Sequence, residues 1–317
     1  IDSDEMAELE SDLADLLERT PANQDADIDR QGRPLEEGLP NLQWAQPLSD
    51  PWGGTALLNG RHPVRMEEPN AASDLPEKAI FLMLGLFESM GSALRLSAHP
   101  NMLRVAESLN GPDFVPYNDS IFLKDPGLGA SVAWHQDGAT HWESPEFDQG
   151  THGFNVMAQL YGCNAQNGLW IVPGTHKRGK VDIKAMVAEA GSDRLPDAVP
   201  MICEPGDVGI CNRQSLHGSF ANTSNETRVT LNFGFHRRSS VLNVTGAGIH
   251  SPVAVYTDEH IRERSKVIGY AKSARQQKYP QETPFAYKPH EASGEKFQWS
   301  EDARKNLKDY NLLDLSI

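Results

Sequence analysis

The stretch Trp134-His135-Gln136-Asp137-Gly138 sets an imidazole and a carboxylate two residues apart. On extended chain, side chains at i and i+2 point to the same face, so His135 and Asp137 can reach one ligand together. A second imidazole from another strand would complete the two-His-one-carboxylate triad, which holds non-heme Fe(II) and leaves coordination positions open for reactants. His217 is the candidate for that third place. A histidine alone is more often a hydrogen-bonded structural residue; the ordered set of His135, Asp137 and His217 carries the metal reading.

Downstream of His217 the chain reads His217-Gly218-Ser219-Phe220-Ala221-Asn222-Thr223-Ser224-Asn225-Glu226-Thr227-Arg228. A polar run between apolar-containing segments is a hairpin signal. A turn centred between Asn222 and Thr223 sets His217 directly opposite Arg228, with Ser219 on the same face. A guanidinium fork is matched to a carboxylate. A metal ligand, a hydroxyl and an arginine brought together in this way suit a cosubstrate that chelates the metal at one end and presents a carboxylate at the other.

The elements that position these residues read as mostly β from Phe114 onward. Phe154–Tyr161 alternates, its Asn155, Met157, Gln159 and Tyr161 set facing a cavity. Arg228–Phe235 alternates as well: Arg228, Thr230, Asn232 and Gly234 face the site, and Val229, Leu231, Phe233 and Phe235 pack outward. Asn118–Leu123, Leu169–Val172 and Val208–Asn212 are further strands, the last delivering His217. Helices are expected over residues 4–18, 76–96 and Asn101–Leu109, the last stopped by Gly111-Pro112. Val181–Ala190 is a helical insertion within 177–198, and Asp258 to about Arg275 is a C-terminal helix. Trp44 and Trp52 fall in a loop-like stretch. The loop 138–151, with Trp142 and Phe147, has the length and aromatic content of a flap or of an ordinary surface loop. The division is residues 1–75 as an N-terminal helix and arm, 76–240 as the core and 241–317 as an extension packing on it, all in one structural domain.

These motifs resemble the phytanoyl-CoA dioxygenase family of Fe(II)/2-oxoglutarate oxygenases. The resemblance rests on Trp-His-Gln-Asp at 134–137, Asn-Gly-Leu-Trp-Ile-Val-Pro-Gly-Thr-His at 167–176 and His-Gly-Ser at 217–219 followed by Arg228, with weaker support from the His99–Asp113 stretch and Lys124. It covers about residues 76 to 240. It implies an all-β core with flanking helices, a double-stranded β-helix (jelly roll, cupin-like). It also implies a non-heme iron dioxygenase that hydroxylates a C–H bond of a small metabolite or acyl-CoA-like substrate, using Fe(II), 2-oxoglutarate and O2, with ascorbate as an accessory reductant. His135, Asp137 and His217 would be the catalytic metal ligands, and Arg228 and Ser219 would hold the far carboxylate of 2-oxoglutarate. Asn118 falls where the family often has a glutamine facing the reactants. Trp170 is either an active-site wall or core.

Composition sets the bounds. The 317 residues carry a net charge of −15, which argues against nucleic acid or anionic membranes as partners and weighs mildly against a highly anionic CoA ester, with Lys177, Arg178 and Lys180 as a counterweight. Three cysteines fit a reducing compartment better than a disulfide framework. No apolar run approaches the roughly 18 residues of a membrane span, and no secretory pattern opens the chain, so the expected place is the cytoplasm. The first helix leaves a homodimer open. Two other classes compete: a metal-dependent isomerase or hydrolase on the same barrel, which needs no Arg228, and a non-catalytic binding protein that keeps only the fold. Asp137 argues against a halogenase, in which a small residue replaces the carboxylate.

Overall fold

The computed structural model describes residues 1–55, 60–137, 152–246, 254–305 and 307. Strands β1 (Asn41–Ala45), β2 (Ala79–Leu84), β3 (Val115–Lys124), β4 (Val132–His135), β5 (Gly153–Gln159), β6 (Trp170–Val172), β7 (Val199–Pro200), β8 (Val208–Asn212), β9 (Leu216–Ser219) and β10 (Arg228–His236) form two antiparallel sheets. The larger has the order β1-β2-β3-β10-β5-β8 and the smaller β4-β9-β6-β7. From β3 onward the chain passes back and forth between them, which is the winding of a double-stranded β-helix. A short ribbon, β11 (Thr245–Gly246) with β12 (Ala254–Val255), stands apart.

Alternation on β10 decides where the core lies. Val229, Leu231, Phe233 and Phe235 face away from the smaller sheet and are buried with Ile121, Leu123, Val156 and Ala158. Over them lie helices α1 (Ser3–Arg19), α2 (Gly91–Ser97), α3 (Pro100–Asn110) and, C-terminal to the sheets, α6 (Asp258–Lys278). In α1, Leu9, Leu13 and Leu16 lie on one stripe and are buried, so this helix packs within its own chain. Pro100 opens α3 and Gly111, at φ 97°, ends it. Between β10 and α6 stands α5 (Arg238–Val241); α7 (Lys288–Ser293) and α8 (Glu301–Lys305) follow α6. Buried Arg275 of α6 pairs with Glu5 of α1 and with Glu282, tying the two ends of the chain together.

The expected insertion is present as α4 (Ile183–Ala190). It covers the outer face of the smaller sheet, where Ala133, Trp134, Val172, Leu216 and Phe220 meet Ile183 and Leu195.

Three expectations differ from the structure. Residues 76–96 are not one helix: Ala79–Leu84 is strand β2, paired to β1 and β3, and only Gly91–Ser97 is helical. An unbroken apolar run fits a strand buried on both faces as well as a helix. Here Ile80 and Met83 enter the outer core while Leu82 and Leu84 face the cavity. Trp44 sits in strand β1, so the larger sheet begins upstream of residue 76. Finally, β9 and β10 do not form a hairpin. They belong to different sheets, and the segment between them is held by Asn222, whose amide donates to the carbonyls of Lys124 (2.7 Å) and Glu226 (2.9 Å).

Candidate active site

Strand β4 lies against β9 with His135 opposite His217, their ring centroids 4.1 Å apart. The partner of His217 is therefore His135. Arg228 instead opposes Lys124 of β3. Each imidazole is fixed from behind: His135 Nδ1 donates to the Ala133 carbonyl and His217 Nδ1 to the Ser215 carbonyl, both at 2.8 Å. A backbone acceptor at Nδ1 leaves the Nε2 lone pair facing inward, the tautomer a metal needs. Both Nε2 atoms stand 3.7 Å from the Asp137 carboxylate, one toward each oxygen.

Asp137 lies just past the end of β4, where its amide donates to the Arg213 carbonyl at 2.8 Å. Between the two β4-side ligands, Gln136 turns away from the cavity. Its side chain donates to the Gly179 and Gln214 carbonyls and accepts from the Val181 amide, so the insertion braces the turn that presents Asp137. Gly218 is glycine for a steric reason: a Cβ there would sit 3.0 Å from the Val132 carbonyl oxygen and 3.2 Å from the Trp134 ring.

The three ligand atoms lie within 4.8 Å of one another, and all three residues are buried. Two imidazole nitrogens and one carboxylate on one side of a cavity suit a divalent transition metal. Burial favours neutral imidazoles and, reinforced by neighbouring cations, depresses both His135 and His217. Burial pushes the Asp137 carboxyl up, but Arg61, Arg213 and the two histidines outweigh it and hold the group well below the usual carboxylate range. Its oxygens also receive the Asn155 amide at 2.9 Å.

A cavity of about 130 Å³ opens between the sheets over these ligands. It is lined by Ser219, Arg228 and Asn118, as the sequence led us to expect, and by Trp52, Phe122, Met157 and Leu169 on its apolar side. Arg228 is 3% exposed. Its Nε donates to Thr230 Oγ1 at 2.8 Å and its Nη1 to the Asn167 carbonyl at 3.1 Å, and no carboxylate pairs with it among the described residues. Strand β10 runs from Arg228 to the level of Asn155, which lies opposite Gly234 and bonds Asp137. Arg228 therefore stands farther along the cavity from the metal ligands.

Trp170 is placed elsewhere. It pairs with Gly218 rather than His217, so it faces the outer side of the smaller sheet, stacking edge-on with Phe220 at 5.7 Å. Leu169 takes the cavity side in its stead. Val208–Asn212 is a strand of the larger sheet, so the ligand His217 arrives only after the chain has crossed at Arg213–Ser215. Among the other histidines near the motifs, His152 stacks on His236 outside the ligand set and His176 sits in a short 3-10 turn. His141 and the expected flap over 138–151 lie outside the described residues.

Several lining residues escape a reading by motif. Arg61 pairs with Asp137 and His62 packs on His135 at 4.6 Å, yet both come from a segment with no periodic signal. Arg213 stands 3.5 Å from Asp137 and 4.0 Å over the Tyr117 ring, and also bonds His236. Tyr117 has no partner in the β3–β10 register, because the ladder skips from Asn118 to Pro116. That bulge turns its ring across Gly234, where a Cβ would come within 1.5 Å of it. An arginine between an apolar strand and the His-Gly-Ser motif was the one signal available for Arg213.

Residues 62–230 match the phytanoyl-CoA dioxygenase (PhyH) family. The chain is 29% identical over 136 residues to Dioxygenase lolE1 of Epichloe uncinata, covering 42% of this chain and 50% of that protein. It is 29% identical over 118 residues to Phytanoyl-CoA dioxygenase 1 of Oryza sativa subsp. japonica, covering 34% and 40%. The chain thus aligns with half or less of the length of these curated relatives. Among solved structures, the non-heme alpha ketoglutarate dependent epimerase SnoN from nogalamycin biosynthesis superimposes with a TM-score of 0.48 at 15% identity, over 81% of this chain and 86% of that one. EctD from S. alaskensis, solved with 2-oxoglutarate and 5-hydroxyectoine, gives 0.43 at 19% identity, over 71% and 82%. With its family match spanning more than half of the sequence and its His-Asp-His set assembled in a cavity between two β-sheets, the chain belongs to the phytanoyl-CoA dioxygenase family.

Proposed function

We propose that this protein is an Fe(II)- and 2-oxoglutarate-dependent dioxygenase that hydroxylates an unactivated C–H bond of a small molecule. The observation that carries the reading is one cavity holding both ends of the required recognition: two inward Nε2 atoms with a carboxylate, and a buried guanidinium that no carboxylate among the described residues pairs. His135, Asp137 and His217 hold the iron, the backbone acceptors behind the imidazoles fixing their direction. Arg228 receives the far carboxylate of 2-oxoglutarate, and Ser219, on the strand that carries His217, supports it. Asn118 faces the same space. Bound iron and 2-oxoglutarate supply the oxidising chemistry, consuming O2, releasing succinate and CO2 and delivering one oxygen atom to the substrate.

The protein's own work is to orient and to shield. Trp52, Leu82, Leu84, Phe122 and Met157 form an apolar wall that keeps water from the reacting carbon. Arg213, held over Tyr117 and against His236, keeps the Asp137 carboxylate anionic and fixed. No helix among the described residues is long and apolar enough to cross a membrane.

The test is anaerobic titration of the protein with Fe(II) and 2-oxoglutarate, followed by metal-to-ligand charge-transfer absorption, then oxygen uptake and succinate release over a metabolite and acyl-CoA panel. The reading expects the band, succinate, and a product heavier by one oxygen atom. Metal binding without any 2-oxoglutarate-dependent band or oxygen uptake points instead to an isomerase or hydrolase, and no metal binding to a non-catalytic protein.

A further inference from the structure

The cavity carries more positive charge than its cosubstrate can use. Among the described residues lining it are three arginines, Arg61, Arg213 and Arg228, against the single carboxylate of Asp137. Imidazoles that ligate a metal do so in the neutral form. If the proposed iron and 2-oxoglutarate bind, their charges of opposite sign cancel and the excess of guanidinium remains. Buried charge without a partner is costly, so the excess marks a place for an anion.

The three arginines differ in what they already hold. Arg228 serves the cosubstrate in the reading above. Arg213 is held by more groups: Tyr117 lies beneath it, His236 meets Nη1, and Asp137 stands 3.5 Å from its Nε, which makes no hydrogen bond among the described residues. Among the described residues Arg61 has one partner, the Asp137 carboxylate, met through Nη2, and its Nε, like that of Arg213, is buried with no acceptor; what sets Arg61 apart is that nothing but Asp137 holds it. Asp137 is also the residue a metal would claim. A metal on Asp137 would neutralise most of the charge that Arg61 pairs with, and the Arg61 side chain is only 13% exposed in the metal-free structure, so its own charge would be left short of a counter-ion.

We propose that Arg61 is the residue that receives an anionic group of the substrate, a carboxylate or phosphate, and that before metal loading the same guanidinium holds Asp137. The substrate class is thus a small organic anion with an apolar portion, the latter lying on Trp52, Leu82, Leu84 and Phe122. Asn118 and Asn232 present buried Oδ1 atoms with no donor among the described residues, which suits a substrate that also carries hydroxyl or amine hydrogens. This inference rests on the iron and 2-oxoglutarate reading. It reverses the expectation from net charge: a chain at −15 overall keeps a cationic pocket, and local charge decides what binds there.

The experiment uses the full chain, anaerobic, with Fe(II) and 2-oxoglutarate. Matched probes are titrated while the charge-transfer band is followed: octanoate against octanamide, phenylacetate against phenylacetamide, hexyl phosphate against hexanol. At least one anion is expected to shift the band at a concentration about tenfold or more below that of its neutral partner. Arg61→Gln abolishes that preference and Arg61→Lys keeps part of it. In the absence of 2-oxoglutarate, Arg61→Gln binds Co(II) at least as tightly as wild type, because a competitor for Asp137 is gone. Wild-type protein that forms the band but shows no anion preference overturns the inference whatever the variants do. So does a preference that survives Arg61→Gln, or a band that bleaches rather than shifts, since bleaching means the probe has displaced 2-oxoglutarate at Arg228. Failure of wild type to form any band overturns the iron and 2-oxoglutarate reading itself, and this inference with it.

Discussion

Replacing Arg228 by alanine is the sharpest test of the cosubstrate assignment, and the structure fixes what to expect. The guanidinium is 3% exposed and among the described residues makes two bonds, to Thr230 Oγ1 and the Asn167 carbonyl, both neutral. Its neighbour across the ladder is the buried Lys124, whose pKa is depressed by burial and then by Arg228 itself, so nothing opposite it supplies a counter-charge. Removing one partner of such a buried pair costs about 2–5 kcal/mol, much of it from stranding the other charge. At about 1.4 kcal/mol per decade, the dissociation constant for 2-oxoglutarate rises roughly thirty- to four-thousand-fold. Arg228→Lys keeps the charge and loses the planar fork, so it falls between. Fe(II) affinity without 2-oxoglutarate stays near wild type, because Arg228 stands farther along the cavity than the metal ligands. Anaerobic titration with 2-oxoglutarate, read by charge-transfer absorption, measures all three. If both variants bind 2-oxoglutarate like wild type, Arg228 is a structural cation and the cosubstrate site lies elsewhere.

Three further outcomes follow from the packing. Asp137→Ala loses divalent-metal binding by calorimetry and also loses stability, since it strands Arg61 and Arg213; breaking a buried pair costs about 3–5 kcal/mol, and a melting temperature equal to wild type contradicts the Arg61–Asp137–Arg213 arrangement. Gly234→Ala sets a methyl 1.5 Å from the Tyr117 ring, so Tyr117 is driven off Arg213 and oxygen uptake falls with it, whereas unchanged activity and melting place the ring elsewhere. Acid weakens the metal-free fold through its buried neutral histidines: burial takes His152 down to about 3 and His290 down to about 4. The unfolded chain binds those protons near its ordinary histidine pKa of about 6.5. The stability they support is therefore complete above about pH 6.5 and declines as pH falls toward 4 and 3, by up to about 1.4 kcal/mol per pH unit for His152. Denaturant melts of wild type and His152→Asn at pH 7 and pH 5 read it, and equal pH slopes for the two refute it.

What could be read from sequence was what side-chain alternation encodes. The two faces of β10, the cavity-facing Asn155 and Met157 of β5, and the neighbourhood of His135, Asp137 and His217 follow from i, i+2 geometry and local motifs, whereas Gln159 does not line the cavity and Tyr161, past the end of β5, is exposed. Pairing was different. The polar run after His217 has the composition of a hairpin turn, but composition does not say whether the next strand returns to the same sheet or crosses to the facing one. In a double-stranded β-helix it crosses, and the conclusion that Arg228 shares the cavity with His217 survived only because both sheets turn a face to the same space. Trp170 was ambiguous for the same reason: a one-residue change of register moves a side chain through the sheet, and here it gives Leu169 to the cavity and Trp170 to the outer core.

The residues least legible in advance are those that set the electrostatics of the site. Arg61 and His62 reach it from a stretch with no periodicity, and Tyr117 reaches it through a bulge that only a glycine opposite, Gly234, permits. Net charge does not report on the site, because it sums an acidic surface with a cavity whose described charged residues are mainly arginine. The surface acids are exposed to water and screened beyond about 8–10 Å at ordinary ionic strength. The guanidiniums line a low-dielectric space where each interaction is several-fold stronger. Under the anion proposal, substrate selection is governed by the few buried charges rather than by the many exposed ones, and an acidic surface is no obstacle to a pocket for anions.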